Sequence, residues 1–158
     1  MKKILLILVL CTTALIQNGH AQQDSAKAHP VNLLNNYYAL KDALVRSNSS
    51  LAATAAAEFI KTLKDEAPEL ITDETRAALL KDAGDISTSK DIKLQREKFA
   101  TLSLNMIELA KNNKLSASPV YLQYCPMKKA SWLSNEQAIK NPYYGSAMLS
   151  CGSVKATY

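Results

Sequence analysis

Apolar positions recur at steps of three and four along most of this chain, the period of a helix with one buried face. In residues 31–46, Leu33, Tyr37, Leu40 and Leu44 line such a face, and Pro30 suits the first turn, where its missing N–H has no helical partner. Asn48, Ser49 and Ser50 break the run and offer an N-cap. Residues 51–67 repeat the rhythm at Ala52, Ala56, Phe59 and Leu63. Their AATAAA core lets a neighbouring helix come close, and Pro68 ends the run. A third helix is predicted over 72–83, capped by Thr72, with Asp73 and Glu74 where the helix dipole favours negative charge and Gly84 as its stop. The fourth and longest, 88–112, steps through Ile92, Phe99, Leu102, Met106 and Leu109. Short links between such helices favour antiparallel neighbours, so the pattern predicts an all-α, up-and-down four-helix bundle.

After Ser116 the period changes. Val120 to Tyr124 alternates as a short strand, and Met148 to Cys151 with Val154 predicts a second strand pairing with it. Between them Ser134 and Gln137 fit a capping box that opens a short helix, closed by Asn141 and Pro142, and residues 142–145 read as a turn. The expectation is an irregular C-terminal segment with at most a short β-hairpin, folded across the bundle and not a second domain.

The chain begins MKKILLILVLCTTALIQNGHAQQ. Lys2 and Lys3 precede a mostly apolar run too short to span a bilayer, and Gly19 and Ala21 are small residues at cleavage-site positions. Residues 1–21 are therefore expected to be a secretory signal peptide, cut between Ala21 and Gln22, leaving residues 22–158 as one domain without a membrane span. A lipidation site at Cys11 is disfavoured, because Leu10 stands where a small residue is needed. Loss of Lys2 and Lys3 lowers the formal charge from +5 to +3, too weakly basic to suggest a nucleic-acid partner. One histidine, His29, remains after cleavage, and Glu97 and Glu108 have no evident acid–base partner. No catalytic constellation emerges, and an enzyme is not expected.

Export places the product in an oxidising compartment, and only Cys125 and Cys151 survive the leader. Two readings stay open: a disulfide staple, or a soft-metal site that also draws on the nearby methionines. Both require the two cysteines to lie close, with Cα atoms within about 7 Å. No CxxC pair marks a zinc site. Trp132, Tyr143 and Tyr144 are expected to pack the tail onto the bundle, with a partner-binding patch as the alternative, and Met106 reads as core.

The stretch YCPM…WLS…IKNPYYGSAMLSCG, together with YYALKDALVRSN and KDIKLQREKFATLSLNM, resembles the domain of unknown function 3347 family. Members are exported bacterial domains, found alone or attached to the periplasmic adaptors of heavy-metal efflux systems. The resemblance implies a periplasmic soft-metal handler, with an efflux adaptor or another envelope protein as partner. It assigns Cys125, Met127, Met148 and Cys151 as metal ligands. Many relatives carry histidines at the positions of Leu94, Lys98 and Tyr124, where this chain has no imidazole. The remaining donors are sulfur only, a set that suits Cu(I) better than Zn(II). The alternative is an interaction module of the cell envelope, stapled by a Cys125–Cys151 disulfide and without a metal.

Overall fold

The computed structural model describes residues 30–66 and 69–158. The expected leader, Cys11, His29 and Pro68 lie outside the described residues. The helices are α1 (Pro30–Val45), α2 (Ser49–Asp65), α3 (Asp73–Thr88) and α4 (Ile92–Asn112), and each packs against the next in sequence. Among the described residues, no helix is long and apolar enough to cross a membrane.

The helical periods identify the core. Leu33, Tyr37, Leu40 and Leu44 of α1, Ala52, Ala56, Phe59 and Leu63 of α2, and Phe99, Leu102 and Met106 of α4 are all fully buried. Caps fix the ends. The Asn48 side chain accepts from Leu51 N–H, Thr72 from Thr75 N–H, and Asp91 from Lys93 N–H. Two boundaries differ from expectation. The third helix runs through Gly84 to Thr88, because Ile86 is fully buried in the core and the Ser87 and Thr88 hydroxyls donate back to Gly84 O. The fourth helix therefore starts after Asp91, and Thr88 belongs to the third. Buried Gln95 joins this corner, donating to Ser49 O and Ser89 O at 2.9 and 2.8 Å.

The C-terminal segment holds β1 (Tyr121–Cys125), β2 (Ala130–Ser134), a single 3-10 turn (Gly145–Met148) and β3 (Ser153–Thr157). They form a three-stranded antiparallel sheet in the order β2-β1-β3, one strand more than a hairpin. Leu122 faces Leu133 and Cys125 faces Ala130 on one side of β1, and Tyr124 faces Ser153 on the other. β2 packs on α4.

The short helix expected after Ser134 does not form. Ser134 Oγ accepts from Glu136 N–H, two residues on, and buried Gln123 donates to the carbonyls of Glu136, Gln137 and Ala138. Those carbonyls are the acceptors a helix would need. The strand expected at Met148 to Cys151 begins instead at Ser153. Met148 ends the 3-10 turn, and the carbonyls of Leu149 and Cys151 are taken by Asn141.

A chain of aromatic rings fastens the tail to the helices. Tyr37 stacks on Phe99 at 5.2 Å, Phe99 meets Tyr143 at 5.9 Å, and Tyr143 meets Trp132 edge to face at 5.8 Å. Trp132 and Tyr143 are therefore core residues and not an exposed patch. The Tyr37 hydroxyl also bonds Ser103 Oγ at 2.7 Å and accepts from Leu133 N–H at 3.1 Å, linking α1, α4 and β2. Lys41, only 1% exposed, adds a further link, with Nζ 3.0 Å from Asp42 and 3.4 Å from Ser134 Oγ.

Candidate functional site

β1 ends on Cys125, and residues 126–129 turn the chain into β2 with Lys129 at φ +55°. The β1–β3 register sets Tyr124 opposite Ser153, so the segment leading into β3 runs past the end of β1. The two cysteines meet there: Cys125 Sγ lies 3.4 Å from Cys151 Sγ, and both are free thiols. Cys125 is fully buried, whereas Cys151 is half-buried, so the pair has one sulfur in the core and one within reach of solvent.

The environments of the two sulfurs differ. Burial pushes the Cys125 thiol up, but donors outweigh it: the Lys128 N–H, the Cys151 thiol, the Asn141 amide and the Met127 N–H. The net effect holds Cys125 below the ordinary thiol value. Cys151 is held above that value, first by the hydrogen bond it makes to Cys125, then by burial and by the charge on Cys125. The pair thus favours a thiolate at Cys125 with a thiol at Cys151 donating to it. Two of these donors are main-chain N–H groups of the Cys-Pro-Met-Lys turn itself, and they contribute to the lowering at Cys125.

The methionines are placed differently. Met127 is 63% exposed on the turn, while its backbone N–H serves both sulfurs. Met148 is half-buried at the end of the 3-10 turn, and its carbonyl accepts the Cys151 N–H at 3.1 Å. The structure therefore brings Cys125 and Cys151 together, with the Met127 side chain exposed on the adjoining turn and Met148 three residues before Cys151. Among the described residues, no three His, Cys, Asp or Glu side chains gather as a metal site. Leu94 is exposed on α4, Lys98 pairs with Asp85 at 3.0 Å, and the Tyr124 ring lies under the Lys155 ammonium.

Asn141 is the site residue that sequence patterning missed, since Asn before Pro reads as a helix stop. It is fully buried. Its backbone N–H donates to Leu149 O at 2.8 Å, and its carbonyl accepts from Gly145 N–H at 3.1 Å. Its side-chain oxygen accepts from Tyr143 N–H at 2.8 Å, and its amide nitrogen donates to Cys151 O at 2.8 Å.

The family model described as Protein of unknown function (DUF3347) matches residues 33–118, more than half of the chain. The chain belongs to the DUF3347 family. The match takes in nearly all of α1, then α2 to α4 and the link that follows. The sulfur pair lies in the segment after the matched part of this DUF3347 chain. No curated protein and no solved structure matches it.

Proposed function

We propose that this DUF3347 chain is an exported periplasmic protein that binds a soft metal ion, Cu(I), through Cys125 and Cys151, and that it is accessory to heavy-metal efflux. The observation that carries the reading is the contact of two free thiols, one buried and one open to solvent. A buried cysteine held below the ordinary thiol value supplies a charged soft ligand, and Cys151 gives an ion a way in. Met127, exposed beside the pair, supplies a thioether at the rim. The proposed ligand set is Cys125 and Cys151, with Met127 and Met148 as supporting thioethers. A donor set without imidazole or carboxylate disfavours Zn(II).

The burial of Cys125 favours a second reading, in which the pair is a disulfide that staples an envelope interaction module. A sulfur sealed in the core is well protected from exchange once bonded.

A competition titration with a chromogenic Cu(I) chelator, on reduced mature protein and its Cys125→Ser variant, separates the two. Stoichiometric uptake by the parent and loss in the variant supports the metal site. Equal, negligible uptake by both overturns it in favour of the staple.

A further inference from the structure

The two sulfurs stand on segments with different supports. Cys125 is held by the β1 ladder, with partners on both sides of the strand. Cys151 belongs to neither a helix nor a strand, and Gly152 beside it has φ +153°, a conformation open to glycine. Something other than regular structure must therefore keep Cys151 against Cys125.

Asn141 has the right connections. Its side-chain amide donates to the carbonyl of Cys151 at 2.8 Å. Its own main chain grips Leu149 on one side and Gly145 on the other, and its oxygen takes the Tyr143 N–H. A side chain that is fully buried and bonded through both its nitrogen and its oxygen has little freedom to rotate. Through it, the segment of Cys151 is tied to Tyr143, whose hydroxyl donates to Ser131 O at 2.6 Å on the strand paired with β1, and so to the strand that ends on Cys125.

We infer that Asn141 is the positioning residue of the dithiol, the group that holds Cys151 in contact with Cys125 by bonding the carbonyls of Leu149 and Cys151 on the segment that carries it. The inference rests on the reading of Cys125 and Cys151 as a working sulfur pair, and it applies whether the pair closes on a metal or on itself. Asn141 touches no reacting partner. It acts by keeping the two sulfurs at one separation, which raises their effective concentration toward each other.

The test is made without metal, so its result stands whatever the copper titration gives. Mature protein is equilibrated with mixtures of reduced and oxidised glutathione. The glutathione S–S bond breaks and the Cys125–Cys151 S–S bond forms. Two electrons pass to glutathione, and the two thiol protons appear on the two glutathione thiols released. The fraction oxidised, read by mass after alkylation, gives the equilibrium constant.

Asn141→Asp keeps an acceptor for Tyr143 N–H and loses both donors. It is expected to lower the constant about tenfold, the weight of one hydrogen bond whose buried partner is left unpaired. Phe59→Leu, which destabilises the helical core away from the sulfurs, should leave the constant unchanged while lowering the melting temperature. A folded Asn141→Asp protein with a constant within about twofold of the parent overturns the inference. The unaltered protein supplies a second readout. On oxidation of the pair, the Asn141 side-chain amide resonances should shift while those of Asn36, which donates to Thr62 at 2.7 Å, stay fixed. Unshifted Asn141 resonances also overturn it.

Discussion

Cys125 Sγ and Cys151 Sγ are 3.4 Å apart, in contact but not bonded. A small side-chain movement closes the bond. The loop closed would span 26 residues, worth roughly 3.5 kcal/mol in the chain-entropy model. Thermal unfolding with and without a thiol reductant should show a higher melting temperature for the oxidised protein. The difference should vanish in Cys125→Ser.

The sulfurs should not contribute equally to metal binding. Either Cys125→Ser or Cys151→Ser should abolish Cu(I) retention, because a thiolate brings charge. Met127→Leu should weaken it by about tenfold or less, the range of a supporting group. Zn(II) should not displace Cu(I). Affinity should fall as the medium is acidified, since protons compete for the ligating thiolates. Chelator competition at several pH values checks all of these points, and an unchanged Cys151→Ser protein would contradict them.

Gly145 sits at φ +57° against the end of α1. A Cβ there would come within 2.6 Å of Ser47 Oγ, 2.7 Å of Arg96 Nη2 and 2.9 Å of Val45 O. Arg96 cannot easily yield, because its guanidinium bonds Leu44 O, Pro142 O and Ser47 Oγ. Gly145→Ala should cost about 1–3 kcal/mol in denaturant unfolding, from the left-handed backbone and the crowding together. Gly84→Ala is the control. Nothing lies within 4 Å of its added Cβ, and removing a mid-helix glycine should leave stability unchanged or raise it by up to about 1 kcal/mol.

Alkaline solution should unfold the protein through its buried tyrosines. Burial holds Tyr37, Tyr38 and Tyr143 well above the ordinary tyrosine value of 10.0. Below that value all are protonated in both states, and their contribution is intact. Above it the unfolded chain releases protons that the folded chain keeps, so stability falls as pH rises, by up to about 1.4 kcal/mol per pH unit for each such group. Melting temperatures recorded between neutral and strongly alkaline pH should decline accordingly, with the tyrosinate absorbance of these three residues appearing only as the fold is lost.

The helical part was legible in the sequence because each helix buries a face at its own period, as Leu33, Tyr37, Leu40 and Leu44 do. Gly84 misled because a glycine stops a helix only when no core residue lies beyond it, and Ile86 does. The tail was harder to read. Its local structure is decided by two buried amides acting at a distance in sequence. Gln123 takes the carbonyls that a helix after Ser134 would have used, and Asn141 takes those of Leu149 and Cys151. Strand β2 sets its two large apolar residues, Trp132 and Leu133, side by side and both buried, so it shows no alternation. The meeting of the two cysteines was anticipated, since the staple and the metal readings of the sequence both require it. Their unequal environments were not, since these come from the turn after Cys125 and from Asn141.

Gly152 is pressed so close to the indole of Trp132 that an added Cβ would lie 3.0 Å from the ring carbon Cη2. This is the chain's one tryptophan, and the glycine it touches is the residue next to Cys151. The fold has therefore placed a lamp beside its own sulfur pair. Emission from the indole responds to neighbouring thiols, disulfides and heavy ions, so the intensity of the unlabelled protein carries a running record of what Cys125 and Cys151 are doing.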